Sequence, residues 1–210
     1  RRGKVPVTIF RAAVIIGSGS ASYEIIAHLV KKLLIIFIPY WAKNRCQPIA
    51  VRDVIKYLVG ALESPETIGG SFDIGGEDVL TYEMMLRILA GILNKRRIFI
   101  DVPFSNISFY AYIASLVTPV PDAITECLME SLKNEVVCQN EGIKEIIPFR
   151  TLSYKEAIVR ALTREEQDKV YTRWSDAYPP AHVLALKLSE LEKGPAYKAN
   201  YSLVTDKRAS

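Results

Sequence analysis

The stretch that decides the fold is VTIFRAAVIIGSGS at residues 7–20. Its two runs of β-branched and apolar residues, 7–10 and 13–16, are typical of strands buried on both faces of a parallel sheet. Glycines and serines at 17–20 end the second run, and apolar residues at helical spacing follow from Ile25 onward. This order of strand, turn and helix predicts an α/β fold.

The same alternation continues along the chain. The pattern predicts helices over 23–33, 54–63, 82–93, 107–116, 122–132 and 154–164, and further strands over 33–38, 71–74 and 97–102. We expect Ser22, Asp53 and Thr81 to cap the first three helices, because short polar side chains satisfy the free amides of a helix start. Strands and helices in alternation favour α/β over a helical bundle.

Composition narrows the class of protein. A formal net charge of +4, from 27 basic and 23 acidic residues, is spread along 210 residues and does not indicate nucleic-acid binding. Three cysteines without CxxC spacing argue against a zinc site and a disulfide scaffold, so we expect a cytoplasmic protein. His28 and His182 lie far apart, and we assign no metal ligand. The chain begins at Arg1, and we expect it to be the downstream part of a longer protein.

Residues 102–121 form a charge-free stretch of 20 residues. A spanning helix needs about 20 apolar residues. This stretch contains three prolines and several hydroxyl side chains, which oppose insertion into a bilayer. We therefore expect a core helix or an apolar docking surface there, and no membrane span.

A glycine pattern, Gly17-x-Gly19-x-x-Ser22, follows the second strand. It is either an incomplete pyrophosphate cradle or a turn at the mouth of a cleft, because the acidic residue expected about 20 positions later is replaced by the apolar segment 37–41. None of the eleven tyrosines has a lysine four positions later, and GxSxG, GxxxxGK[ST] and HExxH are absent. We assign no catalytic residue.

Three segments in order carry a family resemblance: residues 7–20, QPIAVRDV at 47–54, and GSFDIGG at 70–76 followed by LTYE at 80–83. Together they resemble the C-terminal half of an extended or atypical short-chain dehydrogenase/reductase of the NAD(P)-dependent epimerase/dehydratase superfamily. Within it, the chain resembles NmrA-like proteins and the nucleotide-binding accessory subunit of respiratory complex I.

This resemblance implies a domain plan. Residues 1–147 would hold the last strands of a Rossmann-like parallel sheet and a substrate-side subdomain. The N-terminal nucleotide-binding half, with its glycine fingerprint and Tyr-x-x-x-Lys pair, would lie upstream of Arg1 and is absent from the chain. Residues 148–210 would begin a second domain or form a docking tail. The full-length protein would then bind NAD or NADP, whereas this portion would not be catalytic by itself.

The resemblance also implies two sets of contact residues. Those expected beside the nicotinamide of the cofactor are Arg11, Ala12, Ala13 and Val14. Those expected at the floor and edge of the substrate cleft are Ile16, Gly17, Ser18 and Gln47. An alternative reading of Gln47 is an exposed residue before a strand.

The leading functional hypothesis is the substrate-side portion of an NAD(P)-binding oxidoreductase or epimerase-like protein acting on an unidentified small molecule. The alternative is a non-catalytic nucleotide-binding scaffold or assembly subunit, which would use residues 102–121 or the C-terminal tail to bind a protein partner or a second copy. A further alternative makes residues 148–210 a separate lipid or small-ligand module, although this segment is short for a cavity.

Overall fold

The computed structural model describes residues 5–103 and 106–166 of the chain. Eight strands are present there: β1 (Ile9–Ala12), β2 (Ile15–Ile16), β3 (Ile35–Pro39), β4 (Arg45–Cys46), β5 (Ile49–Ala50), β6 (Ser71–Ile74), β7 (Leu80–Thr81) and β8 (Ile98–Val102). The helices are α1 (Ala21–Lys32), α2 (Val51–Glu63), α3 (Tyr82–Ile92), α4 (Ile107–Val117), α5 (Asp122–Ser131), α6 (Ile143–Ile146) and α7 (Tyr154–Glu166), with 3₁₀ helices at Tyr40–Lys43 and Pro65–Thr67.

The strands associate in pairs, and three of the four pairs are parallel. These are β1 with β6, β2 with β5, and β3 with β8, while β4 and β7 run antiparallel. Parallel neighbours require a long crossover connection, and helices supply it here. The predicted α/β fold with parallel strands is therefore confirmed.

The first two strands differ in extent from the sequence prediction. Strand β1 occupies residues 9–12 and pairs with β6 from Ile9 opposite Ser71 to Ala12 opposite Ile74. After Val14 the chain pairs with β5 instead, so that β2 contains only Ile15 and Ile16. The break therefore falls at residues 13–14 rather than at the predicted 11–12, because the change of pairing partner, and not the end of an apolar run, determines its position.

Two of the three predicted helix caps are wrong. Ser20 caps α1, since its hydroxyl accepts a hydrogen bond from the Tyr23 amide at 3.2 Å while its backbone is extended. Helix α2 starts at Val51, which places Asp53 inside the first turn rather than at the cap. Thr81 caps α3 as predicted, accepting from the Met84 amide at 3.2 Å.

The side chains bury into two clusters. The larger one lies among α1, α3, α4, α7 and the strands β2 and β3, and includes Tyr23, Met85 and Ile158. The smaller one is centred on Tyr57 and Ile74, beneath α2 and β6. Helix α7 is joined to α3 by the Tyr154 hydroxyl, which donates to the Met85 carbonyl at 3.2 Å.

The predicted boundary at residue 147 remains a prediction. Residues 167–210, where a β-like segment at 201–204 is expected, lie outside the described residues, as does His182. Helix α4 forms over Ile107–Val117 almost as predicted, with Ala111 and Ala114 buried against its neighbours. Within residues 5–103 and 106–166, no helix combines the length and apolar character that crossing a bilayer requires.

Two glycines provide a test of the packing around β6. A Cβ atom added to Gly76 would lie 2.2 Å from the Pro48 carbonyl oxygen, which is backbone that must move, whereas a Cβ at Gly91 would have nothing within 4 Å. We expect Gly76→Ala to lower the free energy of unfolding by about 2–3 kcal/mol through overpacking. Gly91→Ala should raise it by about 0.5–1 kcal/mol, because alanine favours the helix. Urea denaturation followed by circular dichroism measures both, and equal effects would contradict the described approach of residues 48 and 76.

Candidate functional site

The four residues predicted beside a cofactor run along the carboxyl end of β1. Strands β1 and β6 are parallel and end together at Ala12 and Ile74. In open α/β sheets, ligands bind beyond the carboxyl ends of parallel strands, so the position fits the predicted role. The Arg11 side chain is 63% exposed there, and its Nε donates to Asp73 Oδ1 at 2.7 Å.

Asp73 organises this end of the strand pair. Its Oδ2 accepts hydrogen bonds from the Gln139 amide at 3.0 Å and the Asn140 amide at 3.3 Å. Burial by itself would raise the pKa of Asp73, but these amides and the Arg11 guanidinium outweigh it and hold the pKa below its usual value. The carboxylate therefore stays charged and fixes the loop at 139–140 against β6.

The other three predicted cofactor residues are less accessible. Ala12 packs on the smaller core cluster. Val14 is buried, and its carbonyl accepts from the Ile49 amide at 2.8 Å. Ala13 and Val14 both line a cavity of about 20 Å³ whose wall also includes Tyr82. Their assignment to a cofactor remains a prediction.

The predicted substrate residues at 16–18 lie together beneath α7. They line a cleft of about 60 Å³ that Arg52 and Arg160 also border. The Ser18 hydroxyl donates to the Ala161 carbonyl at 2.8 Å. A Cβ at Gly17 would lie 2.6 Å from Val51 Cγ1, so the absence of a side chain allows α2 to approach this turn.

Gln47 lies apart from that cleft and is buried. Its Nε2 donates to the Gly76 carbonyl at 2.9 Å, and its Oε1 accepts from the Cys138 amide at 3.1 Å. The side chain thus joins three chain segments in the described structure. Its role toward a substrate hydroxyl remains a prediction.

A further cavity contains none of the eight predicted contact residues. It has a volume of about 190 Å³ and is walled by α1, β3, the 3₁₀ helix Tyr40–Lys43, α3, α4 and α5. The sequence pattern predicts an ordinary buried strand at residues 33–38 and a core helix or docking surface within residues 102–121. The available signal was that both stretches are apolar and contain no charged residue.

The chemistry of the described residues is limited. Burial raises the pKa of the Cys46 thiol to about 12, so it remains protonated and is not a nucleophile at neutral pH. All three cysteines are free. No group of three or more His, Cys, Asp or Glu side chains that could hold a metal ion occurs in the part of the chain that the structure describes.

Comparisons with solved structures find matches at low identity that include two epimerases. The chain is similar to a UDP-glucose 4-epimerase of Thermotoga maritima, with 13% identity and a TM-score of 0.54 over 79% of this chain and 47% of that one. It is similar to Pal from Bacillus thuringiensis at 13% identity and a TM-score of 0.53, over 79% and 47%. A UDP-glucuronic acid 4-epimerase from Bacillus cereus, solved with NAD, matches at 15% identity and a TM-score of 0.52, over 76% and 44%.

These likenesses show the fold alone: a mixed α/β architecture of the Rossmann-like type that NAD-dependent epimerases share. The chain spans less than half the length of each of those three structures. No family model matches the chain, and no curated protein matches it.

The Asp73 cluster generates a pH-dependent prediction. Because the folded pKa of Asp73 is lowered, its charged form stabilises the fold above the ordinary aspartate pKa of about 3.9, and that contribution is lost as the pH falls through the lowered value. We expect Asp73→Asn to lower the free energy of unfolding by about 1–2 kcal/mol at pH 7. The difference from wild type should shrink as denaturation is repeated toward pH 3.

Asp101→Asn is the matched control, since Asp101 forms only an exposed pair with Lys43 at 2.9 Å. Surface pairs contribute little, so this variant should change the free energy by less than about 0.5 kcal/mol. A pH-independent loss in Asp73→Asn would contradict the charge-based explanation.

Proposed function

We propose that the chain is the substrate-side portion of an NAD(P)-binding oxidoreductase or epimerase-like protein and is not catalytic by itself. The nucleotide-binding half would belong to another part of the complete protein. Within the superfamily, the segments at 7–20, 47–54 and 70–76 favour the NmrA-like or complex I accessory-subunit branch. Three free thiols suit a reducing compartment, which we propose to be the cytoplasm.

The observation that carries this proposal is the incomplete covering of β1. Among the described residues, β1 pairs only with β6, on one edge. Phe10 and Ala12 pack on the smaller core cluster, whereas the alternate residues Val7 and Ile9 remain 54% and 39% exposed. Parallel sheets in α/β proteins are normally covered on both faces, so this face fits against further strands and helices of a Rossmann half.

Helix α2 also carries an apolar surface that the described residues leave uncovered. Its Tyr57 faces the core, while Ile55, Leu58, Val59 and Leu62 form an exposed apolar stripe at helical spacing. A helix that is apolar on two sides is typical of a layer in which another helix lies beside it. The uncovered strand and the striped helix belong to one core cluster, so a single missing half could cover both.

The cofactor role depends on position. The segment 11–14 leaves the carboxyl end of β1, which is where ligands bind in open α/β sheets. A nicotinamide held there would be supported by backbone rather than by charged side chains, because Arg11 is already paired with Asp73 at 2.7 Å. When bound, NAD(P) would supply the hydride chemistry that no described side chain supplies.

Fluorescence titration of the full-length protein tests the proposal. We expect saturable binding of NADH or NADPH, reversed by the matching non-fluorescent NAD or NADP. The translated sequence upstream of Arg1 should contain a GxxGxxG motif in its first strand, turn and helix. Binding of neither reduced cofactor would overturn the proposal.

A second candidate function, a non-catalytic scaffold or assembly subunit, is favoured by one observation on α4. Phe109, Tyr112 and Leu116 follow at spacings of three and four and are all exposed. Such a stripe fits a groove on a protein partner or on a second copy of the chain. An upstream region that retains the glycine fingerprint but lacks Tyr-x-x-x-Lys would favour this candidate.

Two lysine substitutions test whether β1, in contrast to α4, is covered by an upstream half in the full-length protein. If an upstream half packs over β1, Ile9→Lys buries an unpaired charge and should lower the free energy of unfolding by about 3 kcal/mol or more. Leu116→Lys, at a side chain that is 67% exposed on α4, should change it by less than about 0.5 kcal/mol. Equal, small effects of both changes in denaturant unfolding would show that β1 faces solvent.

A further inference from the structure

The cavity of about 190 Å³ beneath α1 and α4 has the character of a ligand site. Its wall is almost entirely apolar, with Ile26, Leu29 and Phe37 on one side and Ile113 and Met129 on the other. An engineered protein cavity of about 150 Å³ with a similar wall admits benzene. The present volume therefore suits one aromatic ring with a few additional heavy atoms.

One buried donor without a partner, on Trp41, and one half-buried hydroxyl, on Tyr82, belong to this wall. Trp41 is 4% exposed, and its Nε1 has no hydrogen-bond partner in the described structure. The Tyr82 hydroxyl likewise makes no hydrogen bond within the described residues. A buried Trp N–H usually has a partner, so Trp41 implies an acceptor that the described residues do not supply, and the Tyr82 hydroxyl is a second donor in the same wall.

The fold brings into contact the two elements that carry these donors. Trp41 lies on the 3₁₀ helix Tyr40–Lys43, which contacts α3, and Tyr82 is the first residue of α3. The Tyr110 ring meets the Trp41 ring edge to face at 5.5 Å and holds the indole in place. Burial raises the pKa of the Tyr82 phenol, which therefore stays protonated and able to donate.

Bound water is a poorer occupant than an organic ring. A buried water needs two to four polar partners, and it occupies a small part of this volume. Apart from Ser22 and the Tyr110 phenol, the remaining wall presents side chains that bury apolar surface. An aromatic ring would fill the apolar region, and an oxygen atom attached to it would accept hydrogen bonds from Trp41 and Tyr82.

We propose that this cavity binds a small aromatic carbonyl compound whose oxygen accepts hydrogen bonds from Trp41 Nε1 and Tyr82 Oη. The site is separate from the predicted contact residues 11–14, 16–18 and 47, none of which line it. It goes beyond the proposed function, because it requires no nicotinamide cofactor. Binding to this cavity is therefore measured without NAD(P), and its result does not depend on whether the protein binds the cofactor.

Isothermal titration of the full-length protein with two probes of nearly equal shape provides the test. Acetophenone carries the carbonyl acceptor, and α-methylstyrene replaces that oxygen with a methylene group. We expect wild type to bind both probes in the cavity. Tyr82→Phe, which removes only the hydroxyl, should weaken acetophenone about tenfold and leave α-methylstyrene unchanged, since one hydrogen bond contributes about that factor.

Tyr57→Phe is the matched control, because Tyr57 is also buried with an unpartnered hydroxyl but lies in the smaller cluster and does not line the cavity. It should alter neither affinity. Ala114→Leu fills the cavity from α4 and should abolish binding of both probes, with Ala42→Val as a smaller replacement if circular dichroism shows that Ala114→Leu is unfolded.

Each other outcome overturns the proposal. Failure of wild type to bind either probe removes the site, and binding that survives in a folded cavity-filled variant places the probes elsewhere. Equal loss of both probes in Tyr82→Phe, or no loss of either, removes the hydrogen-bonding role of the Tyr82 hydroxyl.

Discussion

The buried carboxylate of Asp53 holds the described part of the chain together. It has no exposed side-chain surface, and it accepts from the Leu152 amide at 2.7 Å and from Lys56 Nζ at 3.0 Å. A charge in such a position is tolerated only when its hydrogen bonds are complete. The bond to Leu152 attaches the entry of α7 to the first turn of α2. Through that attachment, α7 covers β2 and closes the cleft over Ser18.

Sequence patterns recovered the elements whose boundaries depend on local chemistry. Thr81 caps α3, and α4 forms within the charge-free stretch, because a cap and a run of apolar residues are properties of neighbouring residues. The break between the first two strands was predicted at residues 11–12, two positions early, because its place is set where the chain leaves β6 and joins β5. Asp53 was misread for a related reason: its amide partner at residue 152 is distant in sequence.

In the candidate site too, some features could be predicted from the sequence and others could not. A role beside a cofactor for residues 11–14 came from the family resemblance and stays a prediction, whereas the structure places them at the carboxyl end of β1. The partners of buried polar groups could not be predicted from the sequence. Gln47, for example, bonds to Gly76 and Cys138 through contacts that only the folded chain creates. The large cavity could not be predicted either, because it is the space left between six elements whose packing no single sequence pattern encodes.

The long separation between paired strands also sets a schedule for folding during synthesis. Residues 9 and 71 are partners in β1 and β6, and residues 35 and 98 are partners in β3 and β8. Ribosomes add about 5–20 residues per second, so each early strand waits several seconds for its partner to emerge. During that interval the apolar run at 7–16 has unpaired edges on a nascent chain. This run is therefore open to misassembly until residue 71 has emerged from the ribosome.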